Sequence, residues 1–361
     1  MRVAQIVSER WLDQERQALQ SMSMGLYDQQ VEVLFVLPET VGLEPLIMTS
    51  RQIFYRPALW RWVQDLRLGA LADPMADANV DLIHAVDGSL QQAALKLGQQ
   101  LDLPVVVSVW SAGEVHQLRK HDSQVHAAYA PASTTLLKMC KTKLGAGPII
   151  QHVPPGVYSP DPQKIRPPLQ SEDRVISCAV LGDGRPDAHY DRLMDGMARA
   201  KARLGGAVYF FYTFSASQHG LWQMAKRKGL LEQVNLVRVN EANRRLLPDA
   251  DVLILPQPSG AIHTIVLEAM AAGRPVVATV DAVLGDFLND RTARLLEEQP
   301  TPDEWDDCLS DLANEPDLFL SKGTQASKFV REHFSVYNQI NHLIDLYRRV
   351  AAPPIPFTPS S

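Results

Sequence analysis

An α/β chain of two doubly wound domains is what these 361 residues predict, on three observations. Short apolar, β-branched runs alternate with segments of helical spacing, the pattern of parallel sheets flanked by helices. A proline-dense stretch, Gly147–Gln170, interrupts that alternation near the middle. The length fits two domains of ordinary size.

The elements follow in order. Val3–Val7 is an apolar strand, and Leu12, Leu19, Met22 and Leu26 mark a helix over Leu12–Tyr27. Val31–Leu37 is the second strand. Pro38–Tyr55 reads as irregular. Trp60, Trp62, Val63, Leu66, Leu68 and Leu71 read as a helix with a large apolar face. Asp81–Ala85 is the third strand, Ser89–Leu97 a helix, and Pro104–Trp110 a fourth strand, almost entirely β-branched as buried parallel strands are. Beyond the proline-rich linker, Val175–Leu181 opens a second alternation. It continues through helix Tyr190–Leu204, strand Ala207–Thr213, a helix near Leu221–Leu230 and strand Val234–Val239. Ser335–Val350 is an amphipathic helix, and the tail PPIPFTPSS reads as disordered.

The apolar fraction of 46% and charged fraction of 21% are those of a soluble globular protein. A net charge of −6 argues against a nucleic-acid binder, which carries a basic excess. No run of about 18 apolar residues predicts a membrane span, which leaves only peripheral membrane contact open. The N-terminus reads as a strand and not as a signal peptide. Cys140, Cys178 and Cys308 are scattered, with no metal-binding spacing. A reducing, cytoplasmic setting and no metal are the expectations.

The densest chemistry lies in Asp249–Thr279, DADVLILPQPSGAIHTIVLEAMAAGRPVVAT. Val252–Leu255 is a strand, and Pro256, Pro258, Ser259 and Gly260 break it. His263 or Thr264 can cap a helix Ile265–Ala272, which Gly273 and Pro275 stop before strand Val276–Ala278. A helix that starts at the loop end of a sheet offers backbone N–H groups to an anion. Glu268 stands about one turn into it. Elsewhere, Gly182 and Gly184 in GDGRPD begin like a dinucleotide fingerprint, but Asp187 occupies its third glycine position, so that fingerprint fails.

Leu267–Thr279 resembles the donor-binding segment of retaining glycosyltransferases with the GT-B fold, residue for residue. The resemblance implies two Rossmann-like domains facing a cleft: residues 1–160 for the acceptor and 161–334 for the donor. A crossover helix, 335–352, would pack back on the first domain, ahead of a disordered tail, 353–361. It implies ribose recognition by Glu268 and phosphate binding by amides of His263, Thr264 and Ile265. The chain departs from the family elsewhere. Gly260 stands where the family has a leading Glu, eight positions before Glu268. In GDGRPD, beside Gly182, Asp183 replaces a diphosphate-binding Arg and only Arg185 is cationic. Trp110 replaces a His near the reacting sugar, and Glu9 and Arg10 replace a glycine-rich turn. His84 and Asp87, at the end of the third strand, match acceptor-side family positions, and Glu114, His116 and His121, on the polar segment that follows, read as acceptor contacts or as a solvated helix face.

The implied activity is transfer of a hexose-type sugar from a nucleoside diphosphate sugar, with retention, within carbohydrate or cell-envelope polysaccharide biosynthesis. The acceptor is a sugar, a lipid-linked sugar or a small molecule. No cofactor is implied, since a helix N-terminus and cationic side chains would hold the diphosphate. Two alternatives stand beside it: a catalytically degenerate module that binds a nucleotide sugar or a partner protein, and a nucleotide-sugar epimerase of the same fold.

Overall fold

The computed structural model describes residues 1–39, 51–56, 67–120, 125–161, 168–169, 175–201, 203, 207–213, 219–238, 244 and 247–351. They form two compact units, Met1–Gly156 with Val336–Ser361, and Val157–Ser335.

The first unit starts with β1 (Arg2–Ile6), α1 (Glu9–Asp28) and β2 (Glu32–Pro38). The Ser8 hydroxyl accepts from the Trp11 N–H and starts α1. β3 (Arg51–Tyr55) pairs parallel with β2, so the segment expected to be irregular ends in a strand. The Trp60–Leu66 part of the expected apolar helix lies outside the described residues; α2 spans Ala72–Asp77. β4 (Leu82–Ala85), α3 (Gln91–Leu101) and β5 (Val105–Val109) follow as expected. Then come α4 (Ala112–Gln117), β6 (Ala127–Pro131), α5 (Thr134–Leu144) and the short β7 (Ile149–Ile150). β7 lies in the stretch read as linker. The seven strands run in the order β3-β2-β1-β4-β5-β6-β7, and every pairing is parallel. A parallel sheet buries both faces, which is why Val105, Val106, Val107 and Val109 are all buried.

The second unit repeats the design. It holds β8 (Ser177–Gly182), α6 (Ala188–Ala200), β9 (Val208–Thr213), α7 (His219–Arg227), β10 (Val234–Arg238), β11 (Val252–Leu255), α8 (Thr264–Ala271), β12 (Val276–Thr279) and β13 (Arg294–Leu296). The sheet order is β10-β9-β8-β11-β12-β13, again parallel. α9 (Pro302–Asn314) begins with a capping box from Thr301 and Glu304. It packs on α6 so closely that a Cβ on Gly196 would stand 2.4 Å from Trp305 Cβ. α10 (Pro316–His333) crosses the end of α8: a Cβ on Gly323 would meet the Gly273 carbonyl at 2.4 Å, and Ser327 donates to the Ala271 carbonyl at 2.8 Å.

The chain then returns to the first unit as α11 (Val336–Ala351). Val336, Ile340, Leu343, Ile344, Tyr347 and Val350 form its buried stripe. Gly25 of α1 lets Ile340 in, since a Cβ there would stand 2.6 Å from Ile340 Cγ1. Gln339 accepts from the Gly156 N–H at 3.2 Å, and Arg349 donates to Gln151 at 2.6 Å. The tail after Ala351 lies outside the described residues. Among the described residues, no helix is long and apolar enough to cross a membrane.

Candidate functional site

In open parallel sheets, ligands sit beyond the C-terminal ends of the strands. At that edge of the second unit, β11 leads into Pro256–His263 and then α8. His263 takes the N-cap position in extended backbone (φ −115°, ψ 123°) and makes no side-chain cap bond. Thr264, expected as an alternative cap, is instead the first helical residue. Its hydroxyl accepts from Arg244 Nη2. The His263 side chain thus does not cap α8, and the backbone N–H groups of Thr264 and Ile265 lie in its first turn.

Glu268 lies one turn further. It accepts from Arg244 Nε at 3.0 Å on Oε2 and from Arg244 Nη2 at 2.8 Å on Oε1. This is a fork on both carboxylate oxygens. Arg244 is buried, at 4% side-chain exposure, and Glu268 keeps 14%. Sequence reasoning passed over Arg244. It stands in NRRLL ahead of β11, where a charged side chain entering an apolar run needs a buried partner.

The Gly260 loop is held by Asp281, just past β12. Asp281 accepts from the Gly260 N–H at 2.9 Å and from Val283 N–H at 2.9 Å. Gly260 has φ +59°, where a side chain is strained. The position thus serves a turn, and its amide faces a carboxylate.

Gly182 ends β8, and its missing side chain makes room for Tyr190. A Cβ there would stand 2.1 Å from the Tyr190 hydroxyl. The same hydroxyl accepts from the Gly184 N–H at 3.3 Å. Burial pushes the Tyr190 phenol up, so it stays protonated. Arg185 is 84% exposed, and Asp183 accepts from its backbone N–H at 2.8 Å. Glu268, Thr264 and Ile265 thus share α8 with His263 as its N-cap, while Gly182 ends β8 and Arg185 lies in the loop after it.

In the first unit, His84 is fully buried. Its Nε2 lies 2.8 Å from Ser108 Oγ and its Nδ1 2.7 Å from the Tyr347 hydroxyl. Burial lowers its pKa to about 3, which keeps the ring neutral. Both nitrogens are therefore committed to joining β4, β5 and α11. Asp87 is buried too, accepting from Ser8 N–H at 3.3 Å and Ser89 N–H at 3.1 Å. Burial raises its pKa. Trp110 is 6% exposed and donates from Nε1 to the Val86 carbonyl at 2.7 Å, while its backbone N–H donates to Glu114 at 2.7 Å. Its ring lies 5.7 Å from that of Trp11. Burial, then the neighbouring Asp87 charge, raises Glu114 to about 8. The structure thus brings Asp87, Trp110 and Glu114 together with Ser8 at one edge. His84 lies beneath them in the core. His116 is exposed, and His121 lies outside the described residues.

Residues 215–315 match the family described as Glycosyl transferases group 1. The D-inositol 3-phosphate glycosyltransferase of Corynebacterium urealyticum is 27% identical over 136 residues, 37% of this chain and 32% of that protein. The enzyme of the same name from Saccharomonospora viridis is 32% identical over 108 residues, 28% of this chain and 24% of that protein. The chain thus matches about a third or less of the length of these curated relatives. A Rickettsia africae glycosyltransferase superposes with a TM-score of 0.72 at 14% identity, over 97% of this chain and 98% of that one. The Anabaena protein HepE bound to UDP-glucose superposes with a TM-score of 0.73 at 13% identity, over 97% of this chain and all of that one. With two parallel sheets, a return helix and this match in the second unit, the chain has the GT-B fold of these glycosyltransferases, and its residues 215–315 match the glycosyl transferases group 1 family.

Proposed function

We propose that this chain is a glycosyltransferase that moves a hexose-type sugar from a nucleoside diphosphate sugar to a hydroxyl acceptor, with retention. The observation that carries this reading is the start of α8. Its N-cap residue, His263, makes no side-chain cap bond, and the forked Glu268 carboxylate stands one turn away. A helix start suits a phosphate, and a fixed carboxylate suits a ribose hydroxyl. The family match over 215–315, and a neighbour of the same fold bound to UDP-glucose, support it.

In this reading the amides of Thr264 and Ile265 stabilise negative charge as it develops on the departing diphosphate. Arg185 adds an exposed cation at the neighbouring loop. Neither metal nor cofactor is required for these steps. The acceptor, a sugar, lipid-linked sugar or small molecule, would sit by Trp110, Asp87 and Glu114. Trp110 offers a ring and Glu114, raised to about 8, a carboxyl that donates at neutral pH.

A second reading, a nucleotide-sugar binder without turnover, is favoured by one observation. The loop cation Arg185 is exposed and anchored beside Asp183, and no carboxylate projects from Gly260. A panel of UDP-, ADP- and GDP-sugars in thermal denaturation, followed by slow donor hydrolysis, separates the readings. Stabilisation with hydrolysis supports transfer. Stabilisation without it supports binding alone, and no stabilisation at millimolar ligand removes both.

A further inference from the structure

We infer that Arg244 is the positioning residue of the donor site: it fixes the Glu268 carboxylate so that a remaining lone pair meets a ribose hydroxyl. The inference rests on the nucleotide-binding reading above and adds a residue to it. An ionised carboxylate offers about four acceptor directions. Arg244 fills one on each oxygen, with N–H···O distances of 3.0 and 2.8 Å. The fork takes the two converging lone pairs, so the two that remain point to opposite flanks, and each can accept from one hydroxyl. The exposures order the pair: Arg244 at 4% lies deeper than Glu268 at 14%, so a ligand reaches the acid first. The guanidinium also donates to Thr264, the first residue of α8. One rigid group thus fixes the carboxylate against the helix whose amides would take the phosphate.

Charge points the same way. A lone carboxylate one turn from a diphosphate site repels its ligand and opposes the favourable field of the helix start. Paired with Arg244, it presents acceptor atoms with little net charge. Lysine cannot make the same fork, because an ammonium is a single point of charge.

The experiment is titration calorimetry of the full chain with UDP, ADP and GDP and with their 2′-deoxy forms. The wild type should prefer the ribonucleotide by roughly tenfold or more, the worth of a hydrogen bond to a charged group. In Arg244→Met and Arg244→Lys that preference should fall toward one. Affinity for the 2′-deoxy nucleotide should change far less. A merely structural loss would weaken both forms alike. Should Arg244→Met fail to fold, the double variant Arg244→Met/Glu268→Leu leaves no buried charge unpaired. It should fold and show no preference. An Arg244→Lys protein that folds and keeps the full ribose preference overturns the inference while leaving the donor site intact. A wild type that binds none of the six nucleotides overturns the donor-site reading itself.

Discussion

His84 sits where β4, β5 and α11 meet, hydrogen-bonded at both ring nitrogens and wholly buried. A neutral ring donates at one nitrogen and accepts at the other, and the Ser108 and Tyr347 hydroxyls can take either part. Adding a proton would leave two ring donors and a charge without water. The folded pKa, about 3, therefore lies below the ordinary value of 6.5. Below pH 6.5 the unfolded chain takes up a proton that the folded chain refuses. Stability accordingly falls as pH drops from 6.5 toward 3, by at most about 1.4 kcal/mol per pH unit from this group. Urea unfolding at stepped pH should show this slope, and His84→Gln should flatten it. A slope unchanged in the variant would assign it to other groups. Gly182 is the second residue where chemistry and packing can be told apart. Gly182→Ala should displace Tyr190 and destabilise the second unit by about 1–3 kcal/mol, the range for overpacking. Its fingerprint resemblance was legible in the sequence, but the phenol that fills the missing side chain was not, because Tyr190 reaches it only through the fold.

Elements were legible where hydrophobic pattern and chain stops agree. β11, α8 and β12 follow from an apolar run, a Pro/Gly break and the Gly273–Pro275 stop. β3 and β6 are among the strands that lacked such signals. Arg51–Tyr55 (RQIFY) is mostly half-buried, because β3 pairs only with β2 at the border of the sheet. Ala127–Pro131 (AAYAP) has little β propensity; pairing with β5 and close burial make it a strand. The α8–α10 contact carries an element-scale prediction. Gly323→Ala would push a methyl into the Gly273 carbonyl, which is backbone and cannot swing aside. The substitution should cost about 1–3 kcal/mol, read by urea unfolding. It should also weaken nucleotide-induced stabilisation if α8 moves with its neighbour. Gly25→Ala in α1 meets only side chains, those of Ile340 and Val336, which can shift, so its cost should be smaller.

On the scale of the whole chain, the alternation of strands and helices indicated two doubly wound units, and the order of each sheet agrees with that reading. Which residues approach Glu268 was not legible, because Arg244 lies 24 positions earlier and meets it only when β11 and α8 are folded. The assignment of the last helix came from resemblance, and its partners came from structure. Val336–Ala351 supplies Ile340, Leu343, Tyr347 and Val350 to the first unit's core. A chain ending at Ser335 should therefore lose cooperative folding of residues 1–156, measured by near-ultraviolet circular dichroism and proteolysis. The second unit should keep a protected core. Nucleotide at a hundredfold over its Kd should still stabilise that unit by about 2.7 kcal/mol.

The return of the chain also orders events during translation. Residues 1–156 leave the ribosome first, but their hydrophobic surface stays uncovered until Val336–Ala351 has been made. At about 5–20 residues per second, the intervening segment takes roughly 10–40 s to synthesise. The later unit can finish before the earlier one. The nascent N-terminal half thus passes through a window in which chaperones, or a premature partner, compete with the chain's own last helix.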